Sequence, residues 1–75
     1  MDVSLRARRE AMGLTALEMA GLAGCPVETV LRAEFGMQVP HDRFVLARLA
    51  GAYCIGVDTY LRLALDAAER LAGVP

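Results

Sequence analysis

The sequence predicts an all-α fold of five helices. Three observations carry this expectation. Ala and Leu, both strong helix formers, dominate a hydrophobic fraction of 56 %. Gly and Pro punctuate the chain at short intervals. Between them, apolar residues recur with the period of a helix rather than a strand. Residues 1–75 suffice for one domain with a modest core, and a second subunit would remove more apolar surface from water.

The first helix is expected over 3–12. Leu5, Arg9 and Met12 share its inner face, Arg6, Arg8 and Glu10 lie outside, and Gly13 ends it. The second spans 16–23. Thr15 precedes it as N-cap and Glu18 follows three residues later, the pattern of a capping box. Met19, Ala20 and Ala23 face inward. Gly21 costs stability in so short a helix unless a close neighbour needs its small size.

The third helix covers 26–35, with Pro26 in the first turn, where its missing N–H is no loss. Val30 and Ala33 point inward. Val27, Glu28, Leu31 and Arg32 point outward, a side of mixed chemistry. Met37–Pro40 form a loop. The fourth helix covers 42–53, with Phe44, Val45, Leu46, Leu49 and Ala52 apolar.

The fifth helix covers 58–72, with Asp58 as N-cap. Arg62, Asp66 and Arg70 are spaced for an i,i+4 ladder, and Glu69 joins their side. The remaining arc is apolar over roughly 200°, about twice what one core needs. One flank is expected to pack on the first and fourth helices. The other, with Leu61, Leu65, Ala68 and Ala72, is expected to pair with the same helix of a twin subunit, because so wide an exposed apolar flank is a liability.

Charge narrows the partner classes. All eight basic residues are Arg, the net charge is −1, and no overall positive field attracts a polyanion. Residues 1–48 balance six Arg against six acids, so the acidic excess sits in the C-terminal part. Two cysteines, Cys25 and Cys54, are too few for a disulfide scaffold or a zinc site and are expected as core thiols. Met12, Met19 and Met37 are expected to pack in the core or the loop. The opening MDVSLRARRE lacks the apolar stretch of a signal peptide, and no apolar run is long enough to cross a membrane. A reducing cytoplasm is the default expectation. With one histidine, no Cys–His pair at motif spacing and no Gly-rich phosphate loop, nothing points to an enzyme, a cofactor or a metal.

The string LRARREAMGLTALEMAGLAGCPVETVLRAEFGMQVP carries Arg9, then Gly13-Leu14-Thr15, Ala20, Gly24, Val30, Glu34-x-Gly36 and Pro40 in register. With LARLAGAYCIGVDTYL behind it, residues 5–61 resemble the Cro/phage-repressor-like (XRE) helix-turn-helix family over about three quarters of the chain. The resemblance implies a lambda-repressor-like domain whose second and third helices form a helix-turn-helix, with the third helix in the major groove of double-stranded DNA. It implies base reading by Pro26, Val27, Glu28 and Arg32: Arg32 toward guanine, Glu28 toward cytosine, Val27 toward a thymine methyl. It implies phosphate contact at Thr15, Ala16, Gln38, His41 and Arg43, helped by backbone N–H groups at the starts of the second and fourth helices. It also implies an intramolecular Arg9–Glu34 ion pair. Ala16 stands where the family commonly has glutamine. The expected protein is a homodimeric transcriptional regulator such as a phage or plasmid repressor, a restriction–modification controller or an antitoxin. The alternative is a module that keeps the fold but binds another protein.

Overall fold

The computed structural model describes residues 4–73. Five helices follow one another, with no strand among the described residues: α1 (Leu5–Ala11), α2 (Ala16–Ala23), α3 (Val27–Phe35), α4 (Arg43–Ala52) and α5 (Val57–Leu71). Side-chain caps set several boundaries. Ser4 is extended and accepts from the Ala7 N–H, so α1 starts at Leu5; the expected start at Val3 lies outside the described residues. The Thr15–Glu18 capping box at α2 is complete. Asp42 caps α4 and Tyr53 closes it.

Several expected boundaries shift by one residue: Met12, Asp42, Tyr53 and Ala72, expected within their helices, are caps. Pro26 is the N-cap of α3 rather than a residue of its first turn, with ψ 147° holding it extended. Asp58 lies inside the first turn of α5, which Gly56 caps. There its charge complements the helix dipole without closing a cap hydrogen bond.

The core is drawn from all five helices: Leu5, Met19, Ala20, Ala23, Val30, Ala33, Leu46, Leu49, Ala50, Tyr53, Tyr60, Leu63 and Ala64. The Tyr53 and Tyr60 rings meet at 5.6 Å and 60°, the tilted arrangement that ring quadrupoles favour. Tyr60 Oη is buried with no hydrogen-bond partner among the described residues. No single helix described is long and apolar enough to cross a membrane, and α4 and α5 turn through 93° between them.

One carboxylate joins three segments. Glu34 accepts from Arg9 Nε at 2.8 Å, Arg9 Nη2 at 2.9 Å and Tyr53 Oη at 2.5 Å. Arg9 Nη1 also donates to the Leu14 carbonyl at 3.0 Å. The ion pair ties α1 to the end of α3, and Tyr53 adds the end of α4. The hydrogen bonds that Arg9 donates to Glu34 raise the Arg9 pKa against the opposing effect of burial. A fork that satisfies both carboxylate oxygens is what makes burying the pair tolerable.

Several residues depart from the expected pattern. Arg8, expected outside, reaches across to the Tyr53 carbonyl at 2.6 Å and the Cys54 carbonyl at 3.0 Å, capping the C-terminal end of α4. Met12, expected inside, is the C-cap of α1 and faces solvent. Phe44 is 67 % exposed, with the Arg43 guanidinium over its ring at 5.6 Å. Met37 is exposed too. Cys54 is not a core thiol; it is exposed in a left-handed conformation, φ 59°. Gly21 has open space around it, so no close neighbour explains it. That role belongs to Gly36, where an added Cβ would lie 2.3 Å from the Ala67 carbonyl oxygen. The Arg62–Asp66–Arg70 ladder does not form: Arg70 Nε donates to the Asp66 backbone carbonyl at 3.4 Å instead.

Candidate functional site

The outward side of α3 is held from behind. Val30 and Ala33 are fully buried, while Pro26, Glu28 and Arg32 are exposed. The helix follows α2 through a tight turn. Gly24 takes φ +67° at the end of α2, its N–H donates to the Ala20 carbonyl, and the Cys25 N–H returns to the same oxygen at 3.1 Å. A left-handed residue costs a glycine little, so the turn needs only Cys25 and Pro26 before α3 begins. Arg48 from α4 donates to the Ala23 carbonyl at 3.1 Å and fastens this end of α2.

Two residues of the α3 surface are less free than periodicity suggested. Val27 is half-buried against the core, and Leu31 is also half-buried. A valine at the first position of α3 sits where the helix still leans on its neighbours, so only part of its side chain faces out. Glu28 and Arg32 are one turn apart yet form no ion pair, which leaves both heads available to a partner.

Pro26, Gln38 and His41 converge, although they come from different segments. They line a cleft of about 290 Å³ between the α2–α3 turn, the loop after α3 and the start of α4. Thr29 and Arg48 line it as well. Sequence reading missed both, because their positions look ordinary along their own helices. The one available signal for Arg48 was the preference of Arg for the carbonyl end of a neighbouring helix. Cys25 also faces this cleft; burial pushes its thiol pKa up, only partly offset by Arg48.

Thr15 and Ala16 are not part of the cleft. The Thr15 hydroxyl accepts from the Glu18 N–H at 3.1 Å, and its own N–H donates to Glu18 at 2.9 Å. The backbone N–H and hydroxyl of Thr15 hold the Glu18 carboxyl below its usual range. An anion nearing α2 therefore meets an ionised carboxylate. Ala16 turns its methyl toward the core, so any contact it makes is through its backbone N–H.

The start of α4 is likewise occupied. The Asp42 carboxylate accepts from the Phe44 N–H at 2.8 Å and the Val45 N–H at 3.3 Å. Its charge and its claim on two donors leave this helix end a poorer anion site than a bare one. Arg43 and His41 are exposed and free to act through their side chains. The surface as a whole carries Arg32, Arg43 and Arg48 against Glu18, Glu28 and Asp42, an even balance. Among the described residues, no three His, Cys, Asp or Glu side chains come together in a way that would hold a metal.

Compared with family models, curated proteins and solved structures, the chain matches none of them.

Proposed function

We propose that the protein is a sequence-specific DNA-binding regulator, a repressor acting as a homodimer on a two-fold symmetric operator. In this reading α2 and α3 are a helix-turn-helix, and the outward side of α3 enters the major groove. The observation that carries it is α3 itself: Val30 and Ala33 at 0 % exposure anchor the helix, while Glu28 and Arg32 stand free on the opposite side. Arg32 suits guanine O6 and N7, and Glu28 suits cytosine N4. Gln38 and His41 line the cleft with Pro26 and Thr29, and with the exposed Arg43 they suit the sugar–phosphate backbone.

The even charge balance shapes the mechanism. One subunit offers little non-specific attraction, so affinity comes from engaging two half-sites at once. The role is binding rather than catalysis, and regulation follows from occupancy of the operator.

The test is selection of duplexes from random DNA with the purified protein. A two-fold symmetric motif is expected. Arg32→Ala should then cost roughly 1–3 kcal/mol at a single base position. No enrichment over input refutes the reading.

One observation favours a second reading, a protein-binding module or antitoxin. Leu17 and Leu22 on α2 are 71 % and 63 % exposed, and Phe44 on α4 is 67 % exposed. Such side chains suit an apolar partner better than a duplex. Under this reading Arg32→Ala leaves the partner bound, and no salt-dependent DNA binding is seen.

A further inference from the structure

We propose that two copies of the chain pair through α5 in an antiparallel register that sets each leucine of the exposed stripe on an alanine of its twin. The inference deepens the homodimer reading above by naming the contacts. It starts from an unpartnered face. Leu65 is 50 % exposed, Ala72 is exposed, and Leu61 and Ala68 are each half-buried. These four residues recur at steps of four, three and four, which keeps them in one line along a straight helix.

The stripe is complementary to itself in one orientation. Let a two-fold axis cross α5 between Asp66 and Ala67. Leu65 then meets Ala68 of the second copy, and Leu61 meets Ala72. Large residues fall opposite small ones at all four positions, and each contact occurs twice, as a closed two-fold interface requires.

The edges of the stripe select the same orientation. About a quarter-turn to one side stand Arg62 and Glu69. On the other side stand Val57 and Leu71, 38 % and 59 % exposed. In an antiparallel two-fold pair like edges meet, so Arg62 of each copy lies beside Glu69 of the other. In a parallel pair the charged edge would instead press on the apolar one. Neither Arg62 nor Glu69 has an ion-pair partner within its own chain among the described residues. Asp66 lies well round the helix, away from the interface.

Sedimentation equilibrium over a range of concentrations tests the pairing. The chain should self-associate, and Leu65→Asp should weaken it at least about tenfold while circular dichroism reports an intact fold. Arg62→Glu and Glu69→Arg should each weaken association by about tenfold, since each reversal sets like charges together at two symmetric places. The double variant R62E/E69R should return to within about threefold of the natural chain. A natural chain that stays monomeric at every concentration overturns the proposal. So do single reversals without effect, or a double variant as weak as the singles. Duplex binding is measured separately. Compensation by the double variant without any duplex binding refutes the DNA reading and supports the pairing. A two-fold DNA motif with charge reversals that leave assembly unchanged does the opposite.

Discussion

Raising the pH through the range where tyrosine ionises probes the centre of the fold without a mutation. Tyr53 and Tyr60 are the only tyrosines, and both are fully buried. Burial pushes both phenols far above their usual value of 10.0. The hydrogen bond to Glu34 raises Tyr53 further, since a phenolate there would face a carboxylate at 2.5 Å. The folded chain thus keeps both protons at pH values where the unfolded chain releases them. Stability from these groups is intact below about pH 10 and is lost as the pH climbs beyond it. Each tyrosine contributes a slope of about 1.4 kcal/mol per pH unit, or about 2.7 for the pair. A domain this small holds roughly 5 kcal/mol in reserve, so it should unfold near pH 12. The chain has no lysine, and its arginines stay charged, so few other side chains titrate in this window. Phenolate absorbance and far-ultraviolet circular dichroism, followed on one sample, should change together in a single transition. Tyr60→Phe should halve the absorbance change without dividing the transition. If phenolate absorbance develops near pH 10 while the helical signal persists, at least one tyrosine is open to water and the account of the core is wrong.

Three substitutions extend the test to other parts of the fold. Arg9→Ala strands the Glu34 carboxylate in the interior and should cost about 3–5 kcal/mol in urea unfolding, more than the exposed Arg6→Ala by a wide margin. Gly36→Ala combines φ +79° with a Cβ 2.3 Å from the Ala67 carbonyl, so α3 and α5 must separate; a loss of more than about 2 kcal/mol is expected by thermal unfolding. Cys54→Gly should raise stability by roughly 0.5 kcal/mol, because release from the left-handed conformation exceeds the added chain entropy. An unchanged or lowered melting temperature for this variant would mean that the Cys54 backbone is not strained.

How far the sequence could be read depends on the range of each interaction. The capping box at Thr15 and Glu18 was legible because both partners lie within one turn. The inner residues of α2 and α3 were legible because helical period places them on one side. What failed was long in reach. Arg8 falls on the outer side of α1 by period, yet its side chain extends to carbonyls of residues 53 and 54. Tyr53 and Glu34 lie 19 residues apart, and no local pattern links them. At the candidate site, the freedom of Glu28 and Arg32 followed from the small inner residues behind them. The claim of Asp42 on two N–H groups did not follow, because reading α4 as starting at Asp42 placed its carboxylate within the helix instead of over its end.

The Glu34 junction bears on how α3 can change. It grips α3 near its last turn, about 9 Å along the axis from Glu28. The gripping groups belong to α1 and to the end of α4. The tilt of the outward surface is therefore governed from the far end of the helix, by side chains that are not part of that surface. Substitutions at Arg9 or Tyr53 would loosen that hold and let Glu28 and Arg32 shift relative to the rest of the fold, although neither residue is itself changed.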